Sequence, residues 1–425
     1  MYKYRIRGGT AIEGEIAVSG AKNAALPIMA ASILSGSESV LHNCPAISDV
    51  EKMKEILSGL GCRVKEAGET IIIDSSSLAS CKINGSLMKS MRSSIFLAGP
   101  LLSRCGHVEI HEPGGCNIGK RPIDIHLDAF KKMGALCAFS EGRIILKAEK
   151  LKGAEINMPF PSVGATENII AAAACAEGTT IIRGAAKEPE IVDMQDFLNG
   201  CGADVRGAGT DIIMIEGRHS LNGTTHRIIP DRIEAGTFLT LAAITGGQLC
   251  LRGAKASHLR AYIDVLKRAG CTVLEYDGSI EIKGPGRLKN IGFVETSGYP
   301  GFPTDLQSFA MVLAVFSEGT SCIRENVFER RFAIAKELNK MGAEIEIKSR
   351  DAIIKGGRKL RGNFLEATDL RGGAAITLAA IGAPGESIVS GIQYIDRGYS
   401  RFEEKLTQVG ADIQRIESEN GERKD

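Results

Sequence analysis

The sequence predicts an α/β (α+β) protein of six copies of one unit, three in each of two domains. Three observations predict it. A helix-like segment ending in Gly plus Ala or Cys, then a strand-like run, recurs six times. An alanine-rich apolar helix stands upstream in each copy. The sixth copy lacks closing strands, and the chain begins with strand-like runs that no copy claims.

The recurring segments read "LSGLGCRV", "FKKMGALC", "LNGCGADV", "LKRAGCTV", "LNKMGAEI" and "LTQVGADI". Their shared glycines are Gly61, Gly134, Gly202, Gly270, Gly342 and Gly410, at intervals of 73, 68, 68, 72 and 68 residues. Each stands where a helix should stop and turn into a strand. The upstream helices include "AALPIMAASILSG", "NIIAAAACAEG" and "FAMVLAVFSEG". A unit is therefore strand, helix, strand, helix, then strands, too short to bury its own sheet. The last copy ends at "GADIQRIESENG", and the opening "YKYRIRGGTAIEGEIAV" supplies the missing strands. The expected domains are 22–229, and 1–21 with 230–425.

The formal charge of the 425-residue chain is only +1, which argues against nucleic acid as a partner. "MYKYRIRGGT" has no apolar signal core and no stretch reads as a membrane span, so a cytoplasmic protein is expected. The sequence selects no oligomeric state. None of the 11 cysteines forms a C-x-x-C pair, and His107 and His111 lack a third ligand, so neither a metal nor a cofactor is expected.

The repeat sorts the thiols. Cys62 and Cys271 fill the slot of Ala135, Ala203, Ala343 and Ala411. Cys137, Cys250 and Cys322 fall in strand-like runs, and Cys175 in an alanine helix. These read as small apolar fillers. Cys116 does not fit. It lies in "HEPGGCNIGKRPIDIHL", where the stretch from the apolar helix's glycine to the shared glycine is 28 residues, against 23 to 25 in the other copies. A glycine-rich insertion on a repeat scaffold is a place for function.

The starts of the apolar helices carry a second pattern: "SGAKNAAL", "MKSMRSSI", "PSVGATEN", "PDRIEAGT", "PTDLQSFA" and "TDLRGGAA". Capping would account for Ser162, Thr304, Thr368 and Asp231. Lys22, Arg92 and Arg371, however, put positive charge at helix N-termini, against the dipole. Arg121, Arg331 and Arg397 repeat the habit at the other helices. Recurrent cations there fit a polyanionic ligand, for which free N–H groups, dipole and side chain converge. Asp305, after the Gly- and Pro-rich "PGFPTDLQ", is the better candidate for a general base on a hydroxyl. No P-loop or dinucleotide fingerprint is present.

Together "SGAKNAALPIMAA", "MRSSIFLAGPLLSR", "PGGCNIGKRPIDIHL", "PSVGATENI", "EPEIVD", "IPDRIEAGTF", "GFPTDLQ", "VFERRF", "ATDLR" and "IDRGYSRFEEKL" resemble the UDP-N-acetylglucosamine enolpyruvyl transferases, nearly end to end and in order. The resemblance implies a two-domain inside-out α/β barrel of six βαβαββ repeats, three per domain. It also implies transfer of enolpyruvyl from phosphoenolpyruvate to the 3′-hydroxyl of UDP-N-acetylglucosamine, with release of phosphate. Carried over by position, Lys22, Asn23, Arg121 and Arg397 would bind phosphoenolpyruvate. Asn23, Arg92, Arg121, Pro122, Ile123, Asp124, Ile125, Ser162, Val163, Gly164, Asp305 and Val327 would form the sugar-nucleotide site. Lys22, Cys116, Asp305 and Arg397 would be catalytic: Asp305 takes the hydroxyl proton, Cys116 protonates the methylene carbon, and Arg371 joins the cationic cluster. Phe160-Pro161 departs from members with a lysine there, and Asn117 and Lys120 stand where other side chains are common. A shikimate-type enolpyruvyl transferase shares the architecture but does not use a loop cysteine. A silent sugar-nucleotide-binding paralogue is the non-enzymatic alternative.

Overall fold

The computed structural model describes residues 2–83, 85, 91–111, 123–140 and 142–417. They fall into two compact units, one holding 20–111 and 123–229 and the other 2–19 and 230–417. We call these the first and second units.

All six shared glycines adopt a positive φ, between 93° and 103°. In each, the glycine N–H donates three residues back and the next residue's N–H donates five back. Gly61 to Ser58 at 3.0 Å and Cys62 to Leu57 at 3.0 Å are one instance, Gly410 to Thr407 and Ala411 to Leu406 another. This is the Schellman closure, which satisfies the last helical carbonyls and requires a residue without Cβ strain. It explains both the recurring glycine and the small residue that follows. Cys62, Cys271, Ala135 and Ala411 are each buried against the helix they terminate.

Each unit has its most apolar helices inside. Lys22–Ala31, Ala98–Cys105 and Val163–Ala173 form the inner layer of the first unit. Arg232–Thr245, Gln307–Phe316 and Leu370–Gly382 form that of the second. Most of these residues are buried whichever way they point, as expected of helices apolar all round. Gly99 lets two inner helices touch: a Cβ there would stand 2.3 Å from the Asn168 carbonyl oxygen. The Gly99 amide instead donates to Asn168 Oδ1 at 2.7 Å. The outer helices are one-sided; Arg260–Arg268 buries Tyr262, Ile263, Val265 and Leu266 and exposes its charges.

Among the described residues the strands make six small sheets, five of four strands and one of three, rather than one closed barrel. Inside-out thus describes the layers, helices within and sheets around them. Strands such as Thr179–Arg183 alternate buried and exposed residues, one face toward the helices. The three-stranded sheet belongs to the second repeat, where, among the described residues, a parallel bridge from Lys82 to Glu109 lies at the place of the short fourth strand.

Each unit closes on itself with a displaced strand. Tyr2–Gly8 lies antiparallel between Gly385–Ser390 and Asp412–Glu417, completing the sixth repeat. Glu13–Ala17 pairs in parallel with Gln248–Arg252 and opens the fourth. Thr225–Arg227 does the same for the first repeat against Glu38–His42. Where the chain passes between units, Ala21 N donates to Ile229 O at 2.7 Å in the first, and Asp231 N to Ser19 O at 2.8 Å in the second.

Candidate active site

The expected site residues divide between the units. Cys116, Arg121 and Pro122 lie outside the described residues, as do Asn117 and Lys120.

In the first unit, Lys22 and Asn23 open the helix Lys22–Ala31, and Arg92 opens the 3-10 turn Arg92–Leu97 packed beside it. The N-cap of this helix, Ala21, offers no side-chain acceptor, and Lys22 stands at the unfavourable end of the dipole. Its Nζ pairs with Asp49 Oδ2 at 2.7 Å, with the side chains 9% and 1% exposed. Asp49 is itself well placed, in the first turn of Ser48–Gly59. Ser162 caps Val163–Ala173 by accepting from the Ala165 amide at 3.4 Å. At Gly164 a Cβ would stand 3.3 Å from Phe96 and 3.8 Å from His126. Ile123 and Ile125 pack on the core, while Asp124 begins Asp124–Lys132 and is exposed.

The same unit holds a feature to which sequence reasoning gave no role. Glu167 is 1% exposed, and neither carboxyl oxygen has a hydrogen-bond partner among the described residues. Burial first, then the neighbouring Glu190 and Glu188, push its pKa well above the carboxylate range. Its surroundings inside the helix layer therefore favour the neutral acid.

In the second unit Asp305, Val327 and Arg371 share one connected network. Asp305 sits in the 3-10 turn Thr304–Leu306, which packs on Arg232–Thr245 because Gly236 makes room for Leu306. Its Oδ1 accepts from Arg331, and its Oδ2 is 3.6 Å from Arg371. Arg331 Nε also donates to the Thr304 carbonyl at 3.4 Å, and its guanidinium lies over the Phe328 ring at 5.4 Å. Glu325, 2% exposed, organises the turn that carries Val327. Its Oε1 accepts from the Val327 and Phe328 amides at 2.7 and 3.0 Å, and its Oε2 from the Thr304 hydroxyl at 2.9 Å.

Arg371 is 2% exposed and lies over the Tyr399 ring at 5.5 Å. Its Nη1 has no hydrogen-bond partner among the described residues. Burial opposes its charge, while Tyr399, Asp305 and Asp231 favour it, and its pKa is raised overall. Tyr399 in turn hydrogen-bonds Thr237 at 2.8 Å, and burial pushes its phenol up to about 12. A buried, unsatisfied guanidinium donor is costly, and an anionic ligand would satisfy it.

Several local expectations need correction. Thr368 is not the cap of Leu370–Gly382; Asp369 is, accepting from the Arg371 and Gly372 amides at 3.1 and 2.9 Å. A carboxylate offers the stronger acceptor to two amides at a dipole's positive end. Thr304 caps nothing and serves Glu325. Asp231 does cap, through Ile233 and Glu234. Arg397 does not start a helix. It ends the 3-10 turn Ile392–Arg397, beside Asp396, which Arg415 engages at 2.6 Å. Cys175 lies in the turn after Val163–Ala173, not in the helix.

The described cysteines are free thiols. Burial pushes Cys44, Cys201 and Cys271 up to about 12, and Cys62 and Cys175 to about 11, which makes them poor nucleophiles. No helix among the described residues is long and apolar enough to cross a membrane.

Comparison with known proteins agrees in both sequence and fold. The family model for EPSP synthase (3-phosphoshikimate 1-carboxyvinyltransferase) matches residues 6–406. UDP-N-acetylglucosamine 1-carboxyvinyltransferase 1 of Symbiobacterium thermophilum is 49% identical over 97% of this chain and 95% of its own. UDP-N-acetylglucosamine 1-carboxyvinyltransferase 2 of Caldanaerobacter subterraneus subsp. tengcongensis is 47% identical over 98% and 100%. The crystal structure of the enolpyruvyl transferase NikO from Streptomyces tendae superposes with a TM-score of 0.88, at 26% identity and 97% and 98% coverage. EPSP synthase from Acinetobacter baumannii, at 21% identity and 98% and 100% coverage, shares the fold with a TM-score of 0.76. The chain belongs to the enolpyruvyl transferases, and within them to the UDP-N-acetylglucosamine 1-carboxyvinyltransferases.

Proposed function

We propose that this protein transfers the enolpyruvyl group of phosphoenolpyruvate to the 3′-hydroxyl of UDP-N-acetylglucosamine and releases phosphate, the first committed step of peptidoglycan synthesis. The observation that carries the reading is the pairing of a candidate base, Asp305, with a buried guanidinium, Arg371, in a chain 49% identical to a transferase of that name. Both substrates are polyanions. Lys22, Arg121 and Arg397 grip phosphoenolpyruvate, and the Arg371 donor meets its charge. Asn23, Arg92, Arg121 to Ile125, Ser162 to Gly164, Asp305 and Val327 hold the sugar nucleotide.

The chemistry assigns the remaining parts. Asp305 removes the 3′-hydroxyl proton as the oxygen attacks C2 of phosphoenolpyruvate. As the methylene carbon takes a proton from the Cys116 thiol, positive character builds at C2, and the sugar oxygen's electron pair attacks there and discharges it. The resulting tetrahedral adduct then gives a methyl proton to a base of the site as its C2–O bond to phosphate breaks, which re-forms the C=C bond and leaves the enolpyruvyl ether and inorganic phosphate. An unperturbed thiol near pKa 8.5 is mostly protonated at neutral pH, and neighbouring cations lower that value. Nucleotide-sugar and phosphoenolpyruvate substrates support a cytoplasmic location.

The test is phosphate release from phosphoenolpyruvate with UDP-N-acetylglucosamine, or with shikimate 3-phosphate, as acceptor. Release with the sugar nucleotide alone supports the reading. Release only with shikimate 3-phosphate reassigns the substrate, and release with neither removes the transferase reading.

A further inference from the structure

Resting on the enolpyruvyl-transfer reading, we infer that Arg415 is a positioning residue that holds, through Asp396, the turn carrying Arg397, and so sets where Arg397 meets phosphoenolpyruvate. Arg415 lies on the strand Asp412–Glu417, directly opposite Tyr4 of the closing strand Tyr2–Gly8. Its guanidinium stands between two carboxylates and forks to both. On one edge Nη1 and Nη2 donate to Asp396 Oδ2 and Oδ1 at 3.1 and 2.6 Å. On the other, Nε donates to Glu403 Oε1, and Nη2 shares its second hydrogen between Glu403 Oε2 at 3.2 Å and the Tyr4 hydroxyl at 3.1 Å. Tyr4 is fully buried, its ring lies 5.4 Å from the guanidinium carbon, and its own hydroxyl donates to Glu403 Oε2 at 2.9 Å. Three side chains, from the turn Ile392–Arg397, the helix Phe402–Gln408 and the closing strand, thus hold one planar group, which cannot rotate without breaking a bidentate pair.

The rest of the turn is anchored as well. Gly391 enters it at φ 74°, where a Cβ would stand 2.2 Å from the Ala367 carbonyl oxygen, and Ile395 is fully buried. Beyond Arg397, the Gly398 and Tyr399 amides both donate to the Ile395 carbonyl, at 3.0 and 3.1 Å, and the Tyr399 hydroxyl bonds Thr237. Arg397 therefore stands between two held residues, Asp396 on Arg415 and Tyr399 in the core, and that bracketing fixes its backbone. A ligand site binds in proportion to the fraction of time it is already assembled. Burial opposes the charge of Glu403, while the bonds from Arg415, its own amide and Tyr4 favour it, and its pKa is lowered overall. Without Arg415, the carboxylates of Asp396 and Glu403 would stand side by side with no cation between them. Asp396→Asn is the milder change, since it keeps the shape, spares the Arg415–Glu403 pair and removes one charge from the bidentate contact.

The experiment uses the full-length chain and two readouts. Hydrogen exchange over residues 391–401, followed by mass spectrometry, reads the turn itself. It should speed up by at least about fivefold in Asp396→Asn, and by more in Arg415→Gln, with the core helices Val163–Ala173 and Gln307–Phe316 unmoved. In turnover both variants should raise KM for phosphoenolpyruvate by about tenfold, the effect of a site assembled a tenth of the time, with kcat and KM for UDP-N-acetylglucosamine within about threefold. Arg415→Lys should not restore the wild-type value, because an ammonium cannot make both forks. The double variant should match Arg415→Gln alone, since the two residues act through one contact. Unmoved exchange in the turn, an equal rise in the core helices, an equal rise in both KM values, or additive effects in the double variant overturns the inference. A wild-type chain that releases no phosphate overturns the transfer reading and with it the role given to Arg397, while the exchange still decides whether Arg415 holds the turn.

Discussion

Lys22 and Asp49 form a buried ion pair, Nζ to Oδ2 at 2.7 Å, at the place where a lysine opposes the dipole of its own helix. Removing one partner leaves a charge with little water around it. Asp49→Asn should therefore cost about 3–5 kcal/mol in the first unit, the range for breaking a buried pair from one side. Urea unfolding checks it, and a loss below about 1 kcal/mol would mean that Lys22 finds other compensation.

The six Schellman glycines differ in what surrounds them, which separates backbone strain from packing. At Gly134, φ +93°, a Cβ would meet nothing within 4 Å, so Gly134→Ala should cost only the conformational term, about 1–2 kcal/mol. At Gly61, φ +100°, a Cβ would stand 2.7 Å from the Ser77 carbonyl oxygen, so Gly61→Ala should cost more. Thermal unfolding of the two variants side by side measures the difference.

Glu167 gives the first unit a pH dependence with a defined sign. Its folded pKa is raised by burial and by Glu190 and Glu188, so the folded state keeps a proton that the unfolded state loses near pH 4.3. Its contribution to stability is undiminished below that unfolded pKa and shrinks as pH rises above it. Glu167→Gln keeps the shape without the charge. It should leave the melting temperature nearly unchanged at pH 4 and raise it at pH 8, each 1 kcal/mol reading as about 2–4 °C in a unit of this size. An equal shift at both pH values would contradict the buried-acid account.

Thiol chemistry should single out Cys116. Burial holds Cys44, Cys62, Cys175, Cys201 and Cys271 in the unreactive thiol form. A limiting alkylating agent, or fosfomycin, should label Cys116 at least about tenfold faster than any of these. Peptide mass mapping over time reads the order.

Much of the scaffold was legible because its constraints are local. A helix that must end in a left-handed residue shows a glycine, and the six glycines announced the repeat before any strand was placed. The displaced strand Tyr2–Gly8 was legible as well, since the sixth copy lacked a partner that the first residues could supply. Finer matters resisted because adjacent residues offered the same chemistry: Thr368 and Asp369 are both cap formers, and only geometry selects Asp369. The partners of the site were hidden for a different reason. Asp49, Glu325 and Arg331 act across turns and between helices, so no spacing in the chain ties them to Lys22, Val327 and Asp305. The buried state of Glu167 was equally hidden, because a glutamate in an alanine-rich helix looks the same whether or not a neighbouring repeat covers it.

The most direct measurement is phosphate release from phosphoenolpyruvate with UDP-N-acetylglucosamine as acceptor, compared between the wild-type chain and Cys116→Ala. The account predicts release dependent on the sugar nucleotide, absent with shikimate 3-phosphate, and lowered at least about 100-fold by the substitution, the scale of a lost general acid. Equal release from the two proteins would contradict the role of Cys116, and no release from the wild type would contradict the assignment itself.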